Sequence, residues 1–300
     1  LLTKFFCNKM THKAGFVSIV GKPNVGKSTL MNAIVGERLS IITPKAQTTR
    51  HRIRGIISDE DFQIVFSDTP GLLQSHYKLH EFMMSAVNES LEDADIVLFI
   101  TELNEKPESS DVIEILNNID IPVIVVINKA DLAKDDELLL AEEVWSNAIP
   151  KATVILVSAL QGLNLGKLMQ IILDMLPEAP AFFPKEELTD RTIRFIVAEI
   201  IREKIFMNYK KEIPYSTTVI VDSYKEDENI DRIHALIFVE RETQKAIILG
   251  HQGRAIKKVG IEARQDIEEF IDKKVYLELT VKVSKDWRNK PEMLRRYGYL

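Results

Sequence analysis

The stretch Gly21-Lys22-Pro23-Asn24-Val25-Gly26-Lys27-Ser28 decides the fold. It follows an apolar run, Phe16–Val20, and opens a helical pattern beginning at Ser28 and Thr29. Two glycines with four residues between them, then Lys-Ser, at a strand-to-helix turn make a phosphate-binding loop. The glycines let backbone N–H groups turn inward on phosphate oxygens, and the helix N-terminus adds positive dipole. Lys27 is placed to bridge terminal phosphates, and the Ser28 hydroxyl to ligate Mg²⁺.

Outward from this loop, short apolar runs alternate with helical patterns. Strands are expected over Gly15–Val20, Gly55–Ser58, Phe62–Asp68, Ile96–Thr101, Val123–Asn128 and Thr153–Ser158. Helices are expected over Ser28–Val35, Leu79–Leu91, Ser110–Ile119, Asp136–Asn147 and Gly166–Leu176. Several strands are unbroken apolar runs, the signature of strands covered on both faces. The alternation predicts an α/β, doubly wound, mostly parallel sheet.

The rhythm changes after Pro177–Pro184, where three prolines mark a linker. The predicted division is an extension over 1–12, a first domain over 13–179, a linker over 180–190, a second domain over 191–284 and a basic, aromatic tail over 285–300. In the second domain a helix (Arg191–Tyr209) and two strands (Tyr215–Tyr224, Asp231–Glu240) precede a short helical stretch and Gly250-His251-Gln252-Gly253. A helix (Arg254–Ile271) and a strand (Lys274–Val283) follow, which predicts an α+β unit. Met10 precedes the first strand and reads as a natural start, with a frayed terminus as the alternative.

Composition bounds the function. The chain of 300 residues is 45% hydrophobic and 28% charged, enough apolar material for packed cores. No apolar run approaches the ~20 residues of a membrane span. The single cysteine excludes an intrachain disulfide and fits a reducing compartment. Net charge is −6 but uneven: residues 190–300 carry +3 and the remainder −9. The C-terminal third is therefore the place to seek a polyanionic partner.

Further motifs complete a nucleotide site. Asp68-Thr69-Pro70-Gly71 ends a strand, where the aspartate holds Mg²⁺ through water and the glycine N–H senses the γ-phosphate. Asn128-Lys129-Ala130-Asp131 ends another. A carboxylate at Asp131 accepts from guanine N1–H and its exocyclic amine, donors that adenine does not offer in that arrangement. Lys129 would lie along the base and ribose. Ser158-Ala159 would give backbone N–H groups to the guanine oxygen. The polar stretch Arg38–Arg50 reads as a loop over the phosphates, where Thr49, or else Thr48, completes the metal shell.

The motif order, with Gln47-Thr48-Thr49-Arg50-His51 as the switch and Ser158-Ala159-Leu160 as the last base contact, resembles the TrmE–Era group of bacterial GTPases. One GTPase domain followed by the C-terminal third is similar to the Era branch, over nearly all of Met10–Leu300. The resemblance implies GTP and GDP as ligands and Mg²⁺ as cofactor. Leu72 stands where other GTPases place a water-orienting glutamine, which implies slow turnover. Asn24 matches an asparagine that helps hold K⁺ beside the phosphates in this group. The resemblance also implies the 3′ end of 16S ribosomal RNA as partner, and assembly of the 30S subunit as process. It further implies a cytoplasmic, monomeric protein with loose contact to the inner membrane.

Gly250–Gly253 resembles the Gly-x-x-Gly loop of type II KH domains. Its glycines let a sugar-phosphate chain approach, and Arg254, Lys257 and Lys258 follow on the next helix. Ile256, Val259 and Ile261 read as core. For Trp287, base stacking and packing against the domain both stand open. The rival readings are a P-loop kinase or ATPase, an RNA adapter with a structural nucleotide site, and a tRNA-modification GTPase of the same group.

Overall fold

The computed structural model describes residues 12–72, 76–107 and 111–299. Met10, Ser110 and most of the 1–12 extension lie outside the described residues. In the first domain the order is β1 (Lys13–Gly21), α1 (Lys27–Val35), β2 (Ile53–Ser58), β3 (Phe62–Asp68), α2 (Lys78–Glu92), β4 (Ile96–Glu102), α3 (Asp111–Asn118), β5 (Val123–Asn128), α4 (Asp135–Ala148), β6 (Thr153–Leu156) and α5 (Leu165–Met175). The sheet runs β2-β3-β1-β4-β5-β6. Every pair is parallel except β2 with β3.

Both faces of this sheet are covered, which explains the unbroken apolar runs. Along β4, Leu98 and Ile100 pack with Leu30 of α1 and Leu168 of α5. Their neighbours Val97 and Phe99 pack with Val87 of α2, Leu116 of α3 and Trp145 of α4. The parallel register pairs Ile19 with Asp68, Gly21 with Ile100 and Glu102 with Asn128. The phosphate loop, the Asp68 turn and the Asn128 turn therefore leave one edge together, where ligands of open α/β sheets bind.

The proline-rich segment is fastened to β3, and the residues after it to the edge strand β2. The Gln63 amide oxygen accepts from the N–H groups of Phe182 (2.7 Å) and Phe183 (2.9 Å), and Ile56 N–H donates to Leu188 O (2.8 Å). This covers the edge strand β2, a position otherwise open to foreign pairing.

The second domain contains α6 (Ile193–Asn208), α7 (Ile213–Ser216), β7 (Thr218–Lys225), β8 (Asp231–Val239), α8 (Glu242–Leu249), α9 (Arg254–Ile271), β9 (Val275–Val283) and α10 (Pro291–Arg296). β7 pairs antiparallel with β8, and β8 parallel with β9 across the α8–α9 crossover. The strand expected from Tyr215 starts later, because Pro214 sits in the first turn of α7 and Ser216 ends it. One sheet face packs on α6 and α9 through Ile201, Val259 and Ile267.

The segment read as a basic tail is structural. Trp287, Leu294, Tyr297 and Tyr299 pack against Leu236 and Phe238 of β8 and against Leu79 and Met83 of α2. Trp287 is 0% exposed and its indole N–H donates to Ser216 O (2.9 Å), so it packs and does not offer a stacking face. Arg295 and Arg296 stay outside, whereas Arg288 pairs with Glu240 and lies over the Tyr77 ring (4.2 Å to its centroid), and the aromatics wedge between the domains. Trp287→Ala should cost about 3–5 kcal/mol, the usual range for a buried aromatic. A lowered thermal midpoint in calorimetry checks this, with an unchanged midpoint as the contrary result.

Candidate functional site

A cleft of roughly 540 Å³ opens at the carboxyl edge of the first sheet. From the phosphate loop and α1 it is lined by Pro23, Asn24, Gly26, Lys27, Ser28 and Thr29. Gln47, Thr48, Thr49 and Gly71 cover that end, while Asn128, Lys129, Asp131, Ser158, Ala159 and Leu160 line the other. Gly21, Lys22, Val25, Asp68, Thr69, Pro70, Leu72 and Ala130 are not among the lining residues. Val25, Asp68, Thr69 and Ala130 are buried behind the wall. Ile41 to Lys45, within the stretch expected to lie over the phosphates, also line the cleft, as does Leu132, which nothing in its residue type marks in the sequence.

Close packing accounts for the loop glycines. Gly26 has φ +99°, and a Cβ there would lie 2.2 Å from Asn128 Nδ2. A Cβ on Gly71 would lie 2.8 Å from the Pro23 ring. The Lys27 ammonium donates to Gly21 O (3.0 Å) and Lys22 O (2.8 Å), and burial lowers its pKa to about 8.

Three oxygens converge beside it. Ser28 Oγ donates to Asp68 Oδ2 (2.6 Å), lies 2.9 Å from Thr49 Oγ1, and Thr49 Oγ1 donates to Asp68 Oδ2 (3.4 Å). Asp68 is fully buried, which pushes its carboxyl pKa up, and the Ser28 hydroxyl and Lys27 charge pull it back. Its Oδ1 has no hydrogen-bond partner. An all-oxygen set with one underused buried carboxylate oxygen fits a hard divalent cation such as Mg²⁺. Thr48 Oγ1 is instead engaged with Thr43 Oγ1 and Lys45 O (both 2.6 Å), so Thr49 alone of the two faces this cluster.

At the base end Asn128 is a brace. Its Nδ2 donates to Val25 O (2.8 Å) and its Oδ1 accepts from Ala159 N–H (3.0 Å), tying the phosphate loop to the Ser158 loop. Lys129 takes a left-handed conformation (φ 62°), and its ammonium pairs with Glu102. Asp131 is exposed at the rim. Leu72 is half-buried against the core cluster that includes Val20 and Phe99.

Arg50 and His51 correct the sequence reading, which grouped them with the switch over the phosphates. Both turn into the second domain. Arg50, 1% exposed, donates from Nη1 to Thr217 O (2.7 Å) and from Nη2 to Pro214 O (3.0 Å). His51 stacks on Tyr299 with centroids 4.5 Å apart, and its ring meets Phe195 edge-on. Polar residues in a polar stretch carry no signal of burial, so the sequence could not reveal this.

In the second domain Gly250 (φ 68°) and Gly253 (φ 73°) need glycine's conformational freedom. His251, Gln252, Arg254, Lys257 and Lys258 are exposed around them. An adjoining groove is lined by Lys257, Gly260, Arg264, Tyr276 and Leu277, together with Ile256 and Ile261. Val259 is core, but Ile261 is 45% exposed, which corrects its assignment to the core. It lies two residues from both Val259 and Ala263, roughly 200° around α9 and so on the face opposite the buried stripe that runs on to Ile267.

With this geometry in view, the chain was compared with known proteins. Residues 16–129 match the model of the 50S ribosome-binding GTPase family, and residues 212–288 that of the KH domain. The GTPase Era of Geotalea daltonii is 45% identical over 289 residues, 95% of this chain and 97% of that protein. The chain belongs to the Era family of GTPases. Two solved structures agree with that family fold. One is Era in complex with MgGDPNP and nucleotides 1506–1542 of 16S ribosomal RNA (41% identity, TM-score 0.91, 96% of this chain and 99% of that one). The other is a point variant of Aquifex aeolicus Era bound to GDP and AlF₄⁻, with the same identity, score and coverage. Among the described residues no helix is long and apolar enough to cross a membrane.

His51 yields a pH prediction. Burial lowers its pKa to about 3 from 6.5, so between those values the unfolded chain takes a proton that the folded chain refuses. Its contribution is complete above pH 6.5 and declines as pH falls toward 3. The thermal midpoint of His51→Phe should drop less between pH 7.5 and pH 5 than that of the parent; equal drops would refute the assignment.

Proposed function

We propose that this GTPase is a slow, Mg²⁺-dependent switch that governs the binding of the second domain to RNA. Lys27 and the backbone N–H groups of the phosphate loop hold the phosphates of GTP. Ser28, Thr49 and Asp68 would hold Mg²⁺, which supplies positive charge against the β- and γ-phosphate oxygens. Gly71 offers its N–H to the γ-phosphate, and Asp131 reads guanine, which sets the site apart from an ATPase or kinase. Leu72 is packed away from the cleft and has no group to orient water, so turnover is slow. That packing also favours the second reading, an adapter whose nucleotide is mainly structural; phosphate release with and without RNA separates the two.

The observation that carries the switch reading is the shared loop. Thr49 faces the cleft while Arg50 is anchored to the second domain. A nucleotide that orders this loop must bias how the second domain sits, in proportion to its differential affinity for the two arrangements. We assign RNA binding to Gly250–Gly253 with Arg254, Lys257 and Lys258. The relative captured with 16S ribosomal RNA supports the 3′ end of small-subunit RNA as the target and 30S assembly as the process. The division at 13–179, 180–190, 191–284 and 285–300 is proposed on the same grounds, with Trp287, Leu294, Tyr297 and Tyr299 of the last segment built into the interface. A cytoplasmic monomer in loose contact with the inner membrane rests on the resemblance alone.

Binding of a single-stranded RNA matching that 3′ end should be tighter with a non-hydrolysable GTP analogue than with GDP; equal affinities would refute coupling. Asn24 is further proposed to help hold K⁺ beside the phosphates, standing in for an arginine finger. Its Nδ2 donates to Pro44 O (3.3 Å), so its amide oxygen is the atom that faces this task. Hydrolysis should run faster in K⁺ than in Na⁺ buffer, and Asn24→Ala should abolish the difference; equal parent rates in both salts would sink the idea.

A further inference from the structure

We propose that Arg202, on α6 of the second domain, is a positioning residue for Thr49 and so for the metal-bearing GTP state. The proposal rests on the reading of Thr49 as a Mg²⁺ ligand. Thr49 lies between two residues that are both fastened to the second domain. On one side, Arg202 Nη2 donates to the carbonyl oxygen of Thr48. On the other, the Arg50 guanidinium enters the second domain and donates to Thr217 O and Pro214 O. Between these anchors the Thr49 side chain points the opposite way, 2.9 Å from Ser28 Oγ.

The anchors are rigid because they are buried. Arg202 is 1% exposed, and Glu199 holds its guanidinium through Nε (2.7 Å) and Nη2. The planar fork of arginine lets one side chain serve a carboxylate and a carbonyl together, which the single ammonium of lysine cannot match. The Thr48 carbonyl belongs to the peptide unit that ends at the Thr49 nitrogen. Fixing that unit fixes where the Thr49 hydroxyl can reach. The remainder of the loop is held in the same manner. Ile42 N–H donates to Glu203 Oε1 (2.9 Å), and the Lys45 ammonium donates to Phe206 O and Tyr209 O. The first domain thus supplies Ser28 and Asp68, and the second sets the place of the third oxygen.

The test uses the full chain carrying Arg202→Lys, which retains a positive charge beside Glu199 but cannot span to Thr48. Fluorescent GDPNP and fluorescent GDP are titrated over a range of Mg²⁺ concentrations. At limiting Mg²⁺ the affinity for GDPNP should fall about tenfold, the scale of one lost charge-assisted hydrogen bond. GDP affinity should stay within about twofold, since GDP has no γ-phosphate to share a metal with Thr49, and its binding reports that the same preparation is folded. Arg50→Lys, which loosens the other anchor, should give the same split. Parent-like Mg²⁺ dependence of GDPNP binding in either variant would overturn the proposal. So would equal losses for both nucleotides, the outcome of a merely structural role. If GDPNP binding by the unaltered chain is itself indifferent to Mg²⁺, the metal reading falls, and this proposal with it.

Discussion

A buried guanidinium must find acceptors, because an unpaired charge in a protein interior is too costly to keep. Arg50 finds Pro214 O, Tyr215 O, Thr217 O and the Tyr299 hydroxyl, all contributed by the C-terminal part of the chain. Much else follows from that requirement. The loop that covers the cleft is drawn against α6 and α7, His51 is carried between aromatic rings, and Thr49 is left facing Ser28. The closing wall of one domain is also the contact surface of the other.

Asn128 imposes a comparable constraint inside the first domain. Because it bonds both Val25 and Ala159, the loop that takes phosphates and the loop that takes the base share one side chain. Gly26 has to be glycine for that brace to come so close. Base recognition and phosphate recognition are therefore one arrangement resting on the ends of β1 and β5.

The first fold was legible because a strand buried on both faces must be apolar throughout, and Val123–Asn128 can hardly be read otherwise. The cleft motifs were legible because their chemistry tolerates few residue types: an ammonium at 27, a hydroxyl at 28, carboxylates at 68 and 131. Two classes of feature were not legible. Arg50, His51, Trp287 and Tyr299 sit in polar or basic surroundings, and their burial depends on partners far away in sequence, which no local pattern encodes. The exposure of Ile261 follows from helix periodicity, which sets it on the opposite face of α9 from Val259, Ala263 and Ile267; residue type alone hides it.

The buried arginines bear also on how such a protein can change over evolutionary time. Domains joined by a loose tether can be exchanged as modules, since each surface is already satisfied by water. Here Arg50 without its foreign carbonyls would be a stranded charge, and the Thr48 carbonyl would lose the Arg202 donor that meets it. A different RNA-binding module could be grafted after the linker only together with matched changes on both sides. The two halves are thus expected to diversify as a pair, their inheritance linked by a handful of hydrogen bonds.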